Sequence, residues 1–206
     1  MSEKATNIHP IFNQLLQRSD KESLLQQKAL CIWMTGLSGS GKSTIAKGLE
    51  RKLYEHGILS TVLDGDNVRA GINSNLGFLE DDRMENIRRV AEVTKLFLDC
   101  GIVTINCFVS PTKDIRDLAR KIIGEKDFCE VYINASFEEC AKRDVKGLYH
   151  KAIMGEIKNF TGLDAPFDAP KDAVLEIRTA EQNIEESVET IYNFFIDKIK
   201  PAGSSV

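Results

Sequence analysis

The 206-residue chain has no long apolar run, no C-x-x-C pair, only three histidines and no excess of basic charge. Each shortage removes a class of function. Without about 20 consecutive apolar residues there is no candidate membrane span, and the polar segment 1–28 has no apolar signal-peptide core. A soluble, cytoplasmic protein with no membrane partner is therefore expected. The five cysteines, Cys31, Cys100, Cys107, Cys129 and Cys140, are odd in number and mostly lie in or beside apolar runs. They read as reduced thiols rather than disulfides or zinc ligands. His9, His56 and His150 are far apart in sequence and receive no chemistry. A net charge of −4 gives no general attraction for nucleic acid, so no nucleic-acid partner is expected and anion specificity must come from local clusters. No internal repeat or low-complexity linker divides the chain, and its length suits one domain with a sizeable core.

What is present centres on Gly36-Leu37-Ser38-Gly39-Ser40-Gly41-Lys42-Ser43-Thr44, a complete phosphate-binding loop. Its glycines let successive backbone N–H groups turn toward a phosphate, and the following helix offers its positive N-terminus to the same anion. Lys42 is placed to bridge β- and γ-phosphates, and Ser43 to put its hydroxyl on Mg²⁺. Context agrees with this assignment, because an apolar strand (29–35) precedes the loop and helical spacing over 44–56 follows it.

Strand-like segments over 30–35, 59–64, 103–109, 129–134 and 173–178 alternate with helical patterns. The clearest helix covers 83–100, with Asp82 and Glu85 spaced as an N-terminal cap and Gly101 as the stop. Strands separated by helix-length crossovers imply an α/β fold with a central parallel five-stranded sheet covered on both faces. The expected organisation is an N-terminal extension (1–28), a single domain (29–200) containing a lid near 146–170, and a tail (201–206). Ligands in such folds bind beyond the carboxyl ends of the strands.

Several polar sets fall at those ends. Asp64 and Asp66, in Asp-Gly-Asp-Asn-Val-Arg, can support Mg²⁺ or accept a hydroxyl proton, although the same tetrapeptide is also good turn chemistry. Arg69 shares that edge. Arg83 and Asn86 share one face at the positive end of the long helix, where an anion can be held. Phe78 reads either as a base-stacking ring or as a core residue. Val109 and Ser110 end the third strand, and Pro111 is expected to keep Ser110 extended. Ser110 reads as a substrate contact, a candidate phosphorylated nucleophile, or simply a strand end. The stretch from Arg143 to Phe167, rich in glycine, lysine, aromatics and proline, reads as a lid or as a plain surface loop.

Taken in order, the phosphate loop, Asp-Gly-Asp-Asn-Val-Arg, Leu-Gly-Phe, Asp-Arg-x-Glu-Asn-Ile-Arg-Arg, Lys-Gly-Leu-Tyr and Phe-Thr-Gly-x-Asp-Ala-Pro resemble the adenosine 5′-phosphosulfate (APS) kinase family over nearly the whole chain. The resemblance implies a P-loop kinase fold and transfer of the ATP γ-phosphoryl group to the 3′-hydroxyl of APS, with Mg²⁺ accompanying ATP. It further implies that Arg69, Arg83 and Asn86 hold the phosphosulfate or orient its nucleoside, that Phe78 stacks on adenine, and that Lys158 and Phe160 close from the lid. Asp66 takes the position near the 3′-hydroxyl, Asp64 supports Mg²⁺, Arg143 lies near the ATP adenine, and Ser110 occupies the candidate phosphoserine position. A homodimer and a functional link to a separate ATP sulfurylase are also implied.

The chain departs from the family pattern at Thr112 and Lys113, where an aromatic residue and an arginine are usual, at Val145 for proline, and at Asn159 for glycine. Lysine keeps charge but loses the planar fork of arginine. Two other readings share the loop: a P-loop kinase for another small acceptor, and a non-catalytic nucleotide-binding regulator. The former would not require the set Arg69, Phe78, Arg83 and Asn86.

Overall fold

The computed structural model describes residues 7–200. In chain order the elements are α1 (Arg18–Leu25), β1 (Cys31–Thr35), α2 (Lys42–Glu55), β2 (Ser60–Asp64), α3 (Gly65–Ala70), α4 (Glu80–Leu98), β3 (Val103–Cys107), α5 (Lys113–Ile123), β4 (Phe128–Asn134), α6 (Phe137–Arg143), α7 (Leu148–Ile153), β5 (Leu175–Arg178) and α8 (Ile184–Ile199). The strands form one sheet in the order β2-β3-β1-β4-β5, and every pairing is parallel. This is the parallel five-stranded sheet covered on both faces that the alternating pattern implied, in the three-layer P-loop kinase fold that the resemblance implied. Among the described residues, no helix is long and apolar enough to cross a membrane.

Alternation along the strands builds two cores. Ile32 and Met34 of β1 point to a cluster completed by Ile45, Leu49 and Leu53 of α2 and Ile191, Phe195 and Ile199 of α8. Cys31 and Trp33 point the other way, onto Ile87, Val90 and Leu98 of α4 and Ile115, Ala119 and Ile123 of α5. Each fully buried Ile, Leu or Phe contributes roughly 1.5–3 kcal/mol relative to an exposed one, so these faces fix which helix lies on which side. Helices α2 and α8 meet closely at Gly48, where an added Cβ would fall 2.8 Å from Val188 Cγ2. A third, smaller cluster of Leu37, Ala135, Cys140, Tyr149, Ala152 and Phe160 lies between the phosphate loop and the lid segment.

Within the segment read as an N-terminal extension, α1 and its flanks are tied to the domain. Arg18 Nη1 donates to Asp127 Oδ2 (2.6 Å), Ala29 N to Glu22 Oε1 (2.9 Å), and Gln27 Nε2 to both Leu59 O (2.9 Å) and Gly101 O (2.8 Å). The expected tail, 201–206, lies outside the described residues.

Three local expectations need correction. Helix α4 starts at Glu80 with Leu79 as N-cap, not at Arg83 with Asp82 as cap. Asp82 instead accepts from Gly77 N (3.0 Å), and Glu85 is taken by Arg88 Nε (2.6 Å) and Arg89 Nε (2.8 Å). Strand β3 ends at Cys107 rather than Val109, because Val109 O turns to accept from Thr35 Oγ1 (2.8 Å). Ser110 is not extended: its φ is +44°, against the usual preference of a residue before proline.

Candidate active site

A cleft of about 530 Å³ opens at the carboxyl ends of the strands. Its wall includes the phosphate loop, Asp64, Asp66, Arg69, Phe78, Arg83, Asn86, the 107–111 segment and two stretches of the lid, 144–149 and 157–161. The fold thus gathers into one cavity side chains more than 100 residues apart in sequence.

The phosphate loop follows β1 directly. Gly36 is required there by space, since a Cβ would fall 2.3 Å from Ile133 O. Lys42 is buried, and its Nζ donates to Gly36 O and Leu37 O (both 2.8 Å) and to Ser40 Oγ (3.4 Å). Burial pulls its pKa down to about 8. Ser43 Oγ donates to Asp64 Oδ2 at 2.6 Å. That hydroxyl and carboxylate are hard oxygen donors at the end of a phosphate site, the set that Mg²⁺ takes when nucleotide oxygens and water complete its octahedron. Asp64 also caps α3, its Oδ1 accepting from Asp66 N (3.0 Å). The tetrapeptide that could also have been a turn is the start of a short helix, and Asp66 lies on the cleft wall.

Across the cleft from the phosphate loop, Arg69, Phe78, Arg83 and Asn86 line the wall together. The Arg69 guanidinium lies 4.4 Å from the centre of the Phe78 ring, and Phe78 is 66% exposed, so the ring stands in the cleft rather than in the core. Burial lowers the pKa of both Arg69 and Arg83, and the Arg83 charge lowers that of Arg69 further. Two cations that disfavour each other beside an open cavity make that edge of it electropositive. Asn86 is buried on the cleft wall, its Oδ1 accepting from Asn73 Nδ2 (3.0 Å).

The segment read as a lid or a surface loop is anchored at both ends. Asp144 accepts from Tyr149 N (2.9 Å) and His150 N (3.0 Å) and so caps α7, while Tyr149 donates its hydroxyl to Ser38 O (2.7 Å). Farther on, Arg83 Nη2 donates to Asn159 O (2.6 Å) and Nη1 to Thr161 Oγ1 (2.7 Å). Asn159 has φ +58°, a conformation natural for glycine and tolerated by asparagine, so asparagine can stand where the family pattern has glycine. Phe160 packs edge-on against Tyr149 at 4.9 Å, and Lys158 lies exposed on the cleft wall.

Arg143, expected near the ATP adenine, is absent from the cleft wall, as are Gly36, Leu37 and Ser40 of the phosphate loop. It lies behind the phosphate loop, donating to Gly39 O (3.4 Å), Ser40 O (3.3 Å), Thr179 Oγ1 (3.0 Å) and Thr179 O (2.8 Å). Ser110 is 2% exposed, and its Oγ accepts from Trp33 Nε1 (3.1 Å). Lys113 pairs with Asp117 on an exposed helical face, and Thr112 N-caps α5. Lys146 was given no role from sequence, yet its ammonium pairs with Asp66 across the cleft. The Lys-Gly-Leu-Tyr motif was the available signal, since it places a lysine and Tyr149 together ahead of the lid.

The adenylylsulphate kinase family model matches residues 28–178. The chain is 56% identical over 198 residues to the adenylyl-sulfate kinase of Bacteroides thetaiotaomicron, covering 96% of this chain and 98% of that one. It is similar in structure to the Mycobacterium tuberculosis APS kinase CysC in complex with AMPPNP and APS, with a TM-score of 0.80, 43% identity, and coverage of 82% of this chain and 99% of the other. A hexameric APS kinase from Thiobacillus denitrificans aligns at TM-score 0.63 and 27% identity, over 84% of this chain and 30% of that one.

Proposed function

The chain belongs to the adenylyl-sulfate kinase family, and on that premise we propose how its cleft moves the γ-phosphoryl group of ATP to the 3′-hydroxyl of APS, giving 3′-phosphoadenosine 5′-phosphosulfate and ADP. The observation that carries this reading is the convergence on one cleft of a phosphate loop, a carboxylate at Asp66, and an anion site built from Arg69 and Arg83 beside an exposed ring at Phe78. A kinase for a neutral sugar needs no second anion site next to an aromatic stack.

The phosphate loop and Lys42 hold the β- and γ-phosphates, and α2 adds its N-terminal dipole. Ser43 and Asp64 would hold Mg²⁺, which neutralises charge on the transferring group when bound with ATP. Arg69 and Arg83 bind the acceptor's phosphosulfate, Asn86 and Val109 fix its nucleoside, and Phe78 stacks on its adenine. Asp66 accepts the 3′-hydroxyl proton as the new O–P bond forms, while the bond from the γ-phosphorus to the bridging oxygen breaks and its electron pair leaves with ADP. Lys146 pairs with one oxygen of Asp66 and leaves the other to face the hydroxyl, so this lysine ties the carboxylate to the lid. Transfer is direct: Ser110 Oγ is buried and already bonded to Trp33, which suits a wall residue better than a nucleophile. Lys158 and Phe160 close the lid and exclude water from the reacting phosphoryl group. Arg143 supports the nucleotide by bracing the loop from behind.

The protein works as a homodimer, a reading supported by five apolar residues near its N-terminus (Ile8, Ile11, Phe12, Leu15 and Leu16) that are each more than half exposed. A second copy of this chain covers them, and light scattering of the chain with and without residues 1–17 tests this. The acceptor is supplied by an enzyme that joins sulfate to an adenylate, the role of a separate ATP sulfurylase.

The test of function is ADP release from MgATP with APS, AMP, gluconate or no acceptor, with the position of the product phosphate determined. Strong stimulation by APS and a 3′-phosphorylated product are expected. Stimulation by gluconate or AMP alone would replace this reading with that of another P-loop kinase.

A further inference from the structure

Ser110 is held in a backbone conformation that its sequence disfavours. A positive φ is uncommon for serine, and Pro111 makes the helical regions less accessible still. Such a residue stays in place only where its surroundings over-determine it. The carbonyl of Ser110 accepts from Arg116 Nη1 (3.0 Å) and Thr35 Oγ1 (3.4 Å), and its hydroxyl accepts from Trp33 Nε1 (3.1 Å). Arg116 is 4% exposed and sits with its Nε 2.9 Å from Oε1 of Glu130, which is 3% exposed and also receives Arg120 Nη2 at 3.1 Å.

A buried Arg–Glu pair in a sheet-and-helix interior adds little net stability over apolar residues of similar volume. What it supplies here is direction. The planar guanidinium, held at one end by its ion pair with Glu130, presents an N–H to the carbonyl of the strained residue in the cleft wall. The same wall is joined to the end of the lid, with Asp168 N donating to Pro111 O (2.7 Å) and Lys113 N donating to Asp168 Oδ2 (3.2 Å).

We propose that Arg116, oriented by Glu130, is a positioning residue for the acceptor: it locks the Val109–Ser110–Pro111 wall in its left-handed turn and so sets acceptor affinity without touching acceptor or nucleotide. The inference rests on the reading of this wall as the acceptor side of the kinase site.

The test uses the full chain with R116M/E130L, which removes both buried charges together, and with R116K, which keeps one charge but cannot serve both partners in a fork. Amide hydrogen exchange over 107–112 is measured in each, followed by KM for APS, KM for ATP, kcat and binding of MgAMPPNP. The double variant is expected to melt cooperatively, exchange at least tenfold faster in that segment, raise the APS KM about tenfold and change MgAMPPNP binding less than twofold. R116K falls between it and the unaltered chain. Unchanged exchange in a folded double variant overturns the proposal, as does an equal loss of acceptor and nucleotide affinity. Because exchange needs no acceptor, its outcome is separate from the kinase reading, which fails instead if the unaltered chain does not phosphorylate APS.

Discussion

Binding of MgATP above neutral pH should draw a proton from solvent onto Lys42. Burial among loop carbonyls pulls this ammonium from the ordinary lysine value of 10.5 to about 8. A lysine with a lowered pKa is charged below that value and neutral above it, so at pH 8.5 only roughly a quarter of the sites carry the proton. Phosphate oxygens favour the charged form and return the pKa toward or above the ordinary value. Uptake on binding should therefore be about 0.7 proton at pH 8.5 and about 0.1 at pH 7. Recharging Lys42 costs about 0.8 kcal/mol at pH 8.5 and rises toward about 3 kcal/mol only as pH nears the ordinary lysine value, so affinity should fall as pH rises past 8. Cys107, the other thiol or amine of the described cleft with a shifted value, is pushed far above this window by burial. Calorimetry of MgAMPPNP binding in buffers of different ionisation enthalpy reads the uptake directly. A value near zero at pH 8.5 would show that Lys42 is already charged before nucleotide arrives, and would refute the argument from burial.

Asp66→Asn should lower kcat by on the order of 10²–10⁴-fold with MgAMPPNP affinity nearly unchanged, measured by rapid quench and calorimetry, because the proton acceptor is lost while the phosphate loop is intact. Phe78→Ala should raise the APS KM by about tenfold, the loss of one base stack of about 1–3 kcal/mol, with little effect on the ATP KM. Asn159→Gly should leave lid protection against hydrogen exchange close to that of the unaltered chain, whereas Asn159→Ala, forced to keep φ near +58°, should weaken it by about 1 kcal/mol. Glu85, held by Arg88 and then Arg89, has its pKa lowered to about 2. Its contribution to stability is present above the ordinary carboxylate value and is lost as pH falls through about 2, so the Tm difference between the chain and E85Q should be largest near pH 6, vanish near pH 2 and shrink in high salt.

The parallel sheet, the position of the phosphate loop and the identity of the family were legible in the sequence because each is a local pattern. Apolar periodicity, glycine spacing and contiguous motifs depend on residues a few positions apart. The same locality explains the misreadings. Asp82 and Glu85 have the spacing of a helix cap, but Gly77, Arg88 and Arg89 compete for their carboxylates, so α4 begins three residues earlier. Pro111 by itself favours an extended Ser110, yet Trp33, Thr35 and Arg116, from two other elements, hold it at positive φ. Lys146 meets Asp66 across 80 residues, and Arg83 reaches the lid across 76. Sequence alone therefore determined which chemical groups the chain carries and the frame that displays them. Only tertiary structure decided which groups face one another, because buried hydrogen bonds and ion pairs are settled by three-dimensional competition for partners in a low-dielectric interior.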